Sequence, residues 1–401
     1  MILKDTLRMI VKEQKKQILA AENTIIREAL NQIPINLPYA IIISGIRRAG
    51  KSTLLQQLFQ KFPDFYYFNF EDTRLIDFDA SDFEKLDQIL LEEYGPSKFY
   101  IFDEIQNIKS WEIFVRSRLD NGKQFFITGS NASLLSRELG TRLTGRHINV
   151  ELFPFSYNEE LQFYNKGSSI DAFDEYFRDG GFPEYLKYKQ SAILQELLMD
   201  IIYRGIVIRH SIRDAKSLHE LAIYLLANTG KEFSYNSMKK TFNFGSVNTA
   251  ISYISYMEDS YLLFTIQKFD YSLKKQAVNE KKVYAIDNGI ILSNSTSLSS
   301  DRGRLLENIV FIALRKKYRD IYYFRENGEC DFVVRVGKQI IMAIQVCYEI
   351  TSENKDRELN GLMEALNTLK LNEGLILTYK QEDKIIIHQK TINIIPVWKW
   401  L

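Results

Sequence analysis

Cysteine is almost missing from this chain of 401 residues: there are two, Cys330 and Cys347. Two thiols cannot build a disulfide framework, and such sparse use fits a reducing compartment. Histidine is scarce as well. His147, His210, His219 and His388 stand far apart and share no metal-ligand spacing with one another or with the cysteines. No uninterrupted apolar run approaches membrane-spanning length. The N-terminal stretch MILKDTLRMIVKEQKKQILA scatters charge where a signal peptide needs an apolar core. A soluble, cytoplasmic protein with no membrane partner is therefore expected. A charge excess is lacking too: 52 Lys and Arg face 51 Asp and Glu, a net charge of +1. That balance demands no nucleic-acid partner, although a local basic face remains compatible with it. Only seven prolines occur, two of which, Pro34 and Pro38, bracket the entry into the first strong apolar run.

What is plentiful is aromatic. The 23 Tyr and 26 Phe read as aromatic cores, and the length suffices for two or three domains. Residues 1 to about 33 have helical spacing of apolar side chains, with Lys12–Lys16 as a solvated face. Ala40–Ile43 is then a short β-branched run of the kind buried on both faces of a parallel sheet. It feeds directly into Gly45-Ile46-Arg47-Arg48-Ala49-Gly50-Lys51-Ser52-Thr53, which matches the phosphate-binding pattern G-x-x-x-x-G-K-[ST]. Glycine at both ends lets successive N–H groups turn inward onto phosphate oxygens. Lys51 supplies a point charge for the β- and γ-phosphates, and the Ser52 hydroxyl can ligate Mg²⁺. The helix that starts near Ser52 aims its positive end at the same anion. ATP or ADP and Mg²⁺ are the expected ligands.

A second apolar strand, Lys98–Asp103, ends in Asp103-Glu104. Asp103 is placed to hold the metal and Glu104 to polarise an attacking water, the pairing of P-loop enzymes with a catalytic glutamate, and the Asp103 strand is expected beside the loop. Phe65–Phe70 is another buried strand, followed by Glu71-Asp72-x-Arg74, either a coupling element or a structural turn. Gln124–Thr128 runs into Gly129-Ser130-Asn131, where Ser130, with Thr128 as runner-up, is placed to sense the γ-phosphate. Arg142 and Arg146 precede the last core strand, His147–Leu152. There an arginine can neutralise transition-state charge, often on a neighbouring subunit's nucleotide, which implies a homo-oligomer; the alternative is a pair of surface arginines. Alternating strands and helices give a three-layer α/β domain.

Residues 153–217 read as helical, with Gly180-Gly181-Phe182-Pro183 as a tight connection. Helices at 218–227, 234–241 and 246–258 and paired strands at 262–268 and 282–286 spell a winged helix. Its third helix offers Asn248, Thr249 and Ser252 but no cation, so phosphate contacts would fall to Lys239, Lys240, Lys268, Lys274 and Lys275. The polar run at 293–300 is a linker to a compact α/β terminal domain with a hairpin around Gly337-Lys338. The expected domains are 1–152 (N-terminal helices and P-loop core), 153–292 (helical lid and winged helix) and 293–401 (terminal α/β domain).

Together GIRRAGKSTLL, FNFEDTRL, YIFDEIQ, FITGSNASLL, ELGTRLTGRHINVELFPFSY and FRDGGFPEYL resemble the AAA+-like P-loop ATPases widespread in bacteria and archaea. KKVYAIDNGI, GRLLENIVFIALR, ECDFVV, IQVCYE and IIPVWKWL resemble the domain of unknown function that forms the C-terminal half of that family. The resemblance implies an ATPase core, a winged helix and a terminal domain similar to restriction-endonuclease-like nucleases. Such nucleases use a helix carboxylate, a strand Asp, and an acid followed two residues later by Lys, which hold the metal and help to activate the attacking water. Glu307 matches the first and Asp331 the second, but the third is Gln345-Val346-Cys347. A three-residue turn over 337–339 would set Asp331 opposite Gln345 with Cys347 on the same face. Geometry would then be kept and chemistry lost, unless Lys355 substitutes from the following helix. The expected function is an ATP-hydrolysing switch or motor contacting duplex or branched DNA with a non-cleaving terminal domain. The alternatives are a STAND-like nucleotide switch gating a protein partner, or an ATP-dependent nuclease.

Overall fold

The computed structural model describes residues 2–20, 25–35, 37, 39–62, 64–129, 145–295 and 301–401. Ser130 and Arg142 lie outside the described residues. The chain divides into two compact units, Met1–Phe153 and Pro154–Leu401.

Unit 1 is built on a five-stranded sheet in the order β2-β3-β4-β1-β5. The strands are β1 (Ala40–Gly45), β2 (Tyr66–Asn69), β3 (Phe99–Asp103), β4 (Gln124–Gly129) and β5 (His147–Leu152). All four pairings are parallel, so every strand sends its carboxyl end to one edge, where α/β sheets place ligands. All six residues of β1 are buried, as its β-branched run requires. One expectation needs correction. The strand ending in Asp103 does not lie beside β1: β4 stands between them. One face of the sheet packs into an aromatic core that includes Phe68, Phe70, Phe83, Phe102, Phe114 and Phe125, where edge-to-face and stacked rings lock neighbouring strands.

The N-terminal helix Lys4–Ala20 buries Leu7, Ile10, Val11 and Ile18 against unit 1. Asp72 accepts from Arg74 N–H at 3.0 Å and from its guanidinium at 2.9 and 2.7 Å, and Arg74 also reaches Glu13. Those bonds hold the Asp72 carboxyl down at about 2. The Glu71-Asp72-x-Arg74 segment is thus a turn tied to the first helix.

Unit 2 begins with helices between Tyr157 and His210. Helices Ala215–Ala227, Tyr235–Thr241 and Val247–Asp259 follow, the last two capped by Ser234 and Ser246. Strand β6 is Glu232–Phe233; β7 (Leu263–Lys268) and β8 (Lys281–Ala285) pair antiparallel, with a short helix Leu273–Val278 between them. Beyond them lie β9 (Asp320–Arg325), β10 (Glu329–Val336), β11 (Gln339–Cys347), β12 (Glu373–Thr378), β13 (Asp383–Ile387) and β14 (Lys390–Pro396). The free edge of β7 pairs in parallel with β9. A single nine-stranded sheet, β13-β14-β12-β11-β10-β9-β7-β8-β6, therefore runs through both stretches that the polar run at 293–300 separates in sequence.

The β10–β11 hairpin also departs from expectation. Its turn has two residues, with Val336 opposite Gln339, and a bulge follows between Val334 and Arg335. The extra residue on β11 corrects the register, so Phe332 faces Ile344 and Asp331 still comes to lie beside Gln345. A wrong turn and a missed bulge cancel.

Candidate functional site

At the carboxyl edge of the parallel sheet, Gly45 passes so close to β5 that a Cβ would sit 2.1 Å from the Leu152 carbonyl oxygen. Only glycine lets the loop leave the strand there. Ile46 and Ala49 are buried, Arg47 is half-buried, and the helix Lys51–Phe59 opens with Gly50 as its cap. Lys51 is buried, its Nζ 3.1 Å from the Gly45 carbonyl and 3.2 Å from that of Ile46. Glu104 Oε1 lies 4.0 Å away. Burial pulls the Lys51 ammonium below its usual range, and the charges of Glu104 and Asp103 oppose that pull.

Asp103 gathers the rest. Ser52 Oγ donates to its Oδ2 at 3.0 Å, and Thr128 Oγ1 donates to its Oδ1. The same Thr128 oxygen accepts the Glu104 N–H at 3.0 Å, so β4, the strand lying between β3 and β1, bonds both acids. Tyr67 OH reaches Asp103 Oδ2 at 3.5 Å. Burial raises the Asp103 carboxyl, and the hydrogen bonds from Thr128 and Ser52 counter it. A buried carboxylate beside a serine hydroxyl fits an Mg²⁺ ion, which would hold it ionised. Arg48 (φ 61°) and Glu104 (φ 53°) both adopt left-handed backbone, a strain that clusters at functional sites. The Glu104 carboxylate is further held by Gln106.

Arg27 escaped notice in the sequence. It is buried, its Nη1 donates to the Ala49 carbonyl at 2.5 Å, and its Nη2 to that of Phe153 at 2.7 Å. Gln57 Oε1 accepts its backbone N–H at 2.9 Å. A lone arginine 22 residues before Ala49 carries no local pattern; only the fold shows that it props the loop. Arg146 stands away from the phosphate loop of its own chain. Its carbonyl accepts the Ala40 N–H and its guanidinium pairs with Asp120. That is the amino edge of the sheet, about 20 Å from the phosphate loop at about 3.3 Å per strand residue.

In unit 2, Glu307, Asp331 and Gln345 do come together, around a cavity of about 550 Å³. Gln345 Oε1 accepts the Asp331 N–H at 3.2 Å, and its Nε2 donates to Glu358 Oε2 at 2.6 Å. Cys347 is a correction: it packs in the apolar cluster with Leu359 and Met363 instead of lining the cavity. Lys355 is exposed and also outside it. The lysine that meets these acids is Lys282, from β8, whose Nζ lies 3.2 Å from Glu307, 3.0 Å from Asp331 and 2.7 Å from Glu329. No spacing signal could have found it, because it stands 25 and 49 residues before the acids it meets.

Family models match three successive segments of the chain. A family model described as an AAA domain matches residues 38–161, and two domains of unknown function, DUF8612 and DUF4143, match 170–301 and 302–400. Uncharacterized protein MJ1544 of Methanocaldococcus jannaschii is 36% identical over 392 residues, covering 90% of this chain and 87% of its own. An uncharacterized protein of Haemophilus influenzae is 28% identical, covering 90% and 93%. Among solved structures, the replication initiator DnaA bound to AMPPCP and single-stranded DNA is 15% identical, covering 63% of this chain and 91% of its own, with a TM-score of 0.29. The Orc1 protein of Aeropyrum pernix in complex with DNA is 12% identical, covering 78% and 95%, with a TM-score of 0.32. Likenesses of that size carry no argument about function. The identity with MJ1544 does decide membership: the chain belongs to the family of that protein, an AAA domain followed by two domains of unknown function.

Proposed function

We propose that unit 1 binds and hydrolyses ATP, and that the cycle drives a switch or motor whose C-terminal half contacts DNA. The observation that carries the first part is the convergence of Lys51, Ser52, Asp103, Glu104 and Thr128 at one sheet edge. Lys51 now rests on loop carbonyls; phosphate oxygens are better partners for an ammonium and would draw it off them. Ser52 and Asp103 would hold Mg²⁺, which when bound neutralises phosphate charge. Glu104, held by Thr128 through its backbone and by Gln106 through its side chain, orients the attacking water and takes its proton. Thr128 touches both acids and fits the role of reporting the state of the site. Lys51→Ala is expected to lose tight ATP binding, and Glu104→Gln to bind ATP and stall. Hydrolysis by Glu104→Gln at the wild-type rate would overturn the assignment.

Support for DNA contact comes from the exposed Lys274 and Lys275 on the short helix between β7 and β8, and from exposed Asn248 on the helix Val247–Asp259. Three helices followed by that strand pair have the order of a winged helix. Phosphate contacts would come from the lysines and base-edge contacts from the helix. ATPase rates with and without single-stranded, duplex and branched DNA test this: a rate indifferent to all three would favour a protein partner instead.

A further inference from the structure

The resemblance to metal-dependent nucleases leads one to look for a divalent cation among Glu307, Asp331 and the residue at 345. With Lys282 in place the donors do not fit one. Both ends of the Gln345 amide are engaged, one by the Asp331 backbone and one by Glu358. Asp331 Oδ2 accepts the Val346 N–H at 2.9 Å, and Glu307 Oε1 accepts the Tyr284 hydroxyl at 2.6 Å. No three His, Cys, Asp or Glu among the described residues are grouped to hold a metal ion. The point that Glu307, Glu329 and Asp331 share is taken by an ammonium.

We infer that Lys282 is the built-in cation of this pocket: it stands where a divalent metal would stand, so that the terminal domain takes no Mg²⁺ or Mn²⁺ there and does not cut DNA by metal-dependent chemistry. Strand β8 makes this possible. Its alternation puts Lys282 and Tyr284 on one face, and both reach Glu307. The Lys282 side chain is 3% exposed, against 11% for Glu307 and 8% for Asp331. A buried ammonium is costly unless paired, and three carboxylates within 3.2 Å pair it fully. Burial alone would lower the lysine; Glu307, Asp331 and Glu329 outweigh it and hold Lys282 charged well above its usual range. Burial and the nearby Asp331 push Glu307 up to about 7. The pairing also adds a side-chain tie across the sheet that the β7–β9 ladder makes continuous. The same ammonium joins β8 to β10 and to the helix Arg302–Lys317, stapling the strand pair of the winged-helix segment to the terminal domain.

The test uses the full-length chain, free of nucleotide, with Mn²⁺ as probe and its electron paramagnetic resonance as readout. Wild type is expected to show no Mn²⁺ site that Asp331→Asn removes. Lys282→Met vacates the shared point and is expected to gain one Mn²⁺ per chain. That site should vanish when Asp331→Asn is added, and Mn²⁺ should raise the variant's melting temperature. A wild-type Mn²⁺ site lost in Asp331→Asn would overturn the inference, as would a folded Lys282→Met with no new site. The wild-type comparison needs no change at Lys282, so it decides the matter even if that variant does not fold. The parallel assay is wild type with linear, branched and single-stranded DNA in Mg²⁺ or Mn²⁺; cleavage abolished by Asp331→Asn would equally overturn it.

Discussion

Single side chains in this protein are placed by burial first and by charge second. Arg27 and Lys282 are buried cations, Arg27 bonding backbone carbonyls and Lys282 carboxylates. Glu160 is the contrary case, a buried acid left short of partners. It lies in the helix Tyr157–Tyr164 with its Oε1 shut off from solvent and unbonded. Burial pushes its carboxyl up to about 8, with Lys189 opposing and Asp179 and Glu175 assisting. The folded state thus keeps a proton that the unfolded chain releases near pH 4.5. Stability contributed by that proton is present at low pH and drains away as pH rises from about 4.5 to about 8. One pKa unit corresponds to about 1.4 kcal/mol, so the loss amounts to a few kcal/mol at most. Glu160→Gln is therefore expected to melt close to wild type at pH 5 and clearly above it at pH 8.5. Equal melting differences at both values would mean that Glu160 finds a partner on folding.

Whole elements are held by junctions between distant segments, and two stretches of sequence that look unrelated turn out to be halves of one. Asp287, at the end of KKVYAID, accepts N–H groups from Gly181 at 2.7 Å, Gly289 at 2.8 Å and Ile290 at 3.3 Å. Gly180 has φ 70°, and a Cβ there would lie 2.1 Å from Asp287 Oδ1. Strain and clash add, so Gly180→Ala is expected to cost at least about 2 kcal/mol in urea unfolding. Gly167→Ala, where a Cβ meets open space, is the control, and equal costs would dismiss the junction. The sequence announced both glycines as a tight connection but could not name what they clasp. The same divide holds elsewhere. The phosphate loop, Asp103 and Glu104 were legible because strand, loop and helix are contiguous, and so was β7 against β8. The insertion of β4 between β1 and β3, the two-residue turn with its bulge near Val334, and Lys282 beside Asp331 were not. The strand order and the Lys282 contact are fixed by pairing across long separations, and the turn by local backbone geometry; side-chain periodicity encodes neither.

At the scale of the whole molecule, the arginine expected to assist hydrolysis stands at the wrong edge to serve its own nucleotide. Arg146 precedes β5, and β5 runs parallel to β1 from Ala40↔His147 to Gly45↔Leu152. About 20 Å of strand separates it from the phosphate loop, and its guanidinium rests on exposed Asp120. An exposed pair of this kind is worth at most about 1 kcal/mol, so it yields readily to a stronger anion. If Arg146 has a catalytic part, the nucleotide it meets belongs to a second copy of the chain, and a single copy is incomplete. Specific ATPase activity should then rise with protein concentration, and Arg146→Ala should lower kcat by about 10³-fold or more. The decisive measurement mixes two inactive variants. Lys51→Ala keeps the arginine and loses the phosphate site, whereas Arg146→Ala keeps the phosphate site and loses the arginine. Mixed, they should recover part of the wild-type rate, because an Arg146→Ala loop can borrow its neighbour's arginine. A rate that scales linearly with concentration, together with no recovery on mixing, would return Arg146 to the surface pair it forms with Asp120.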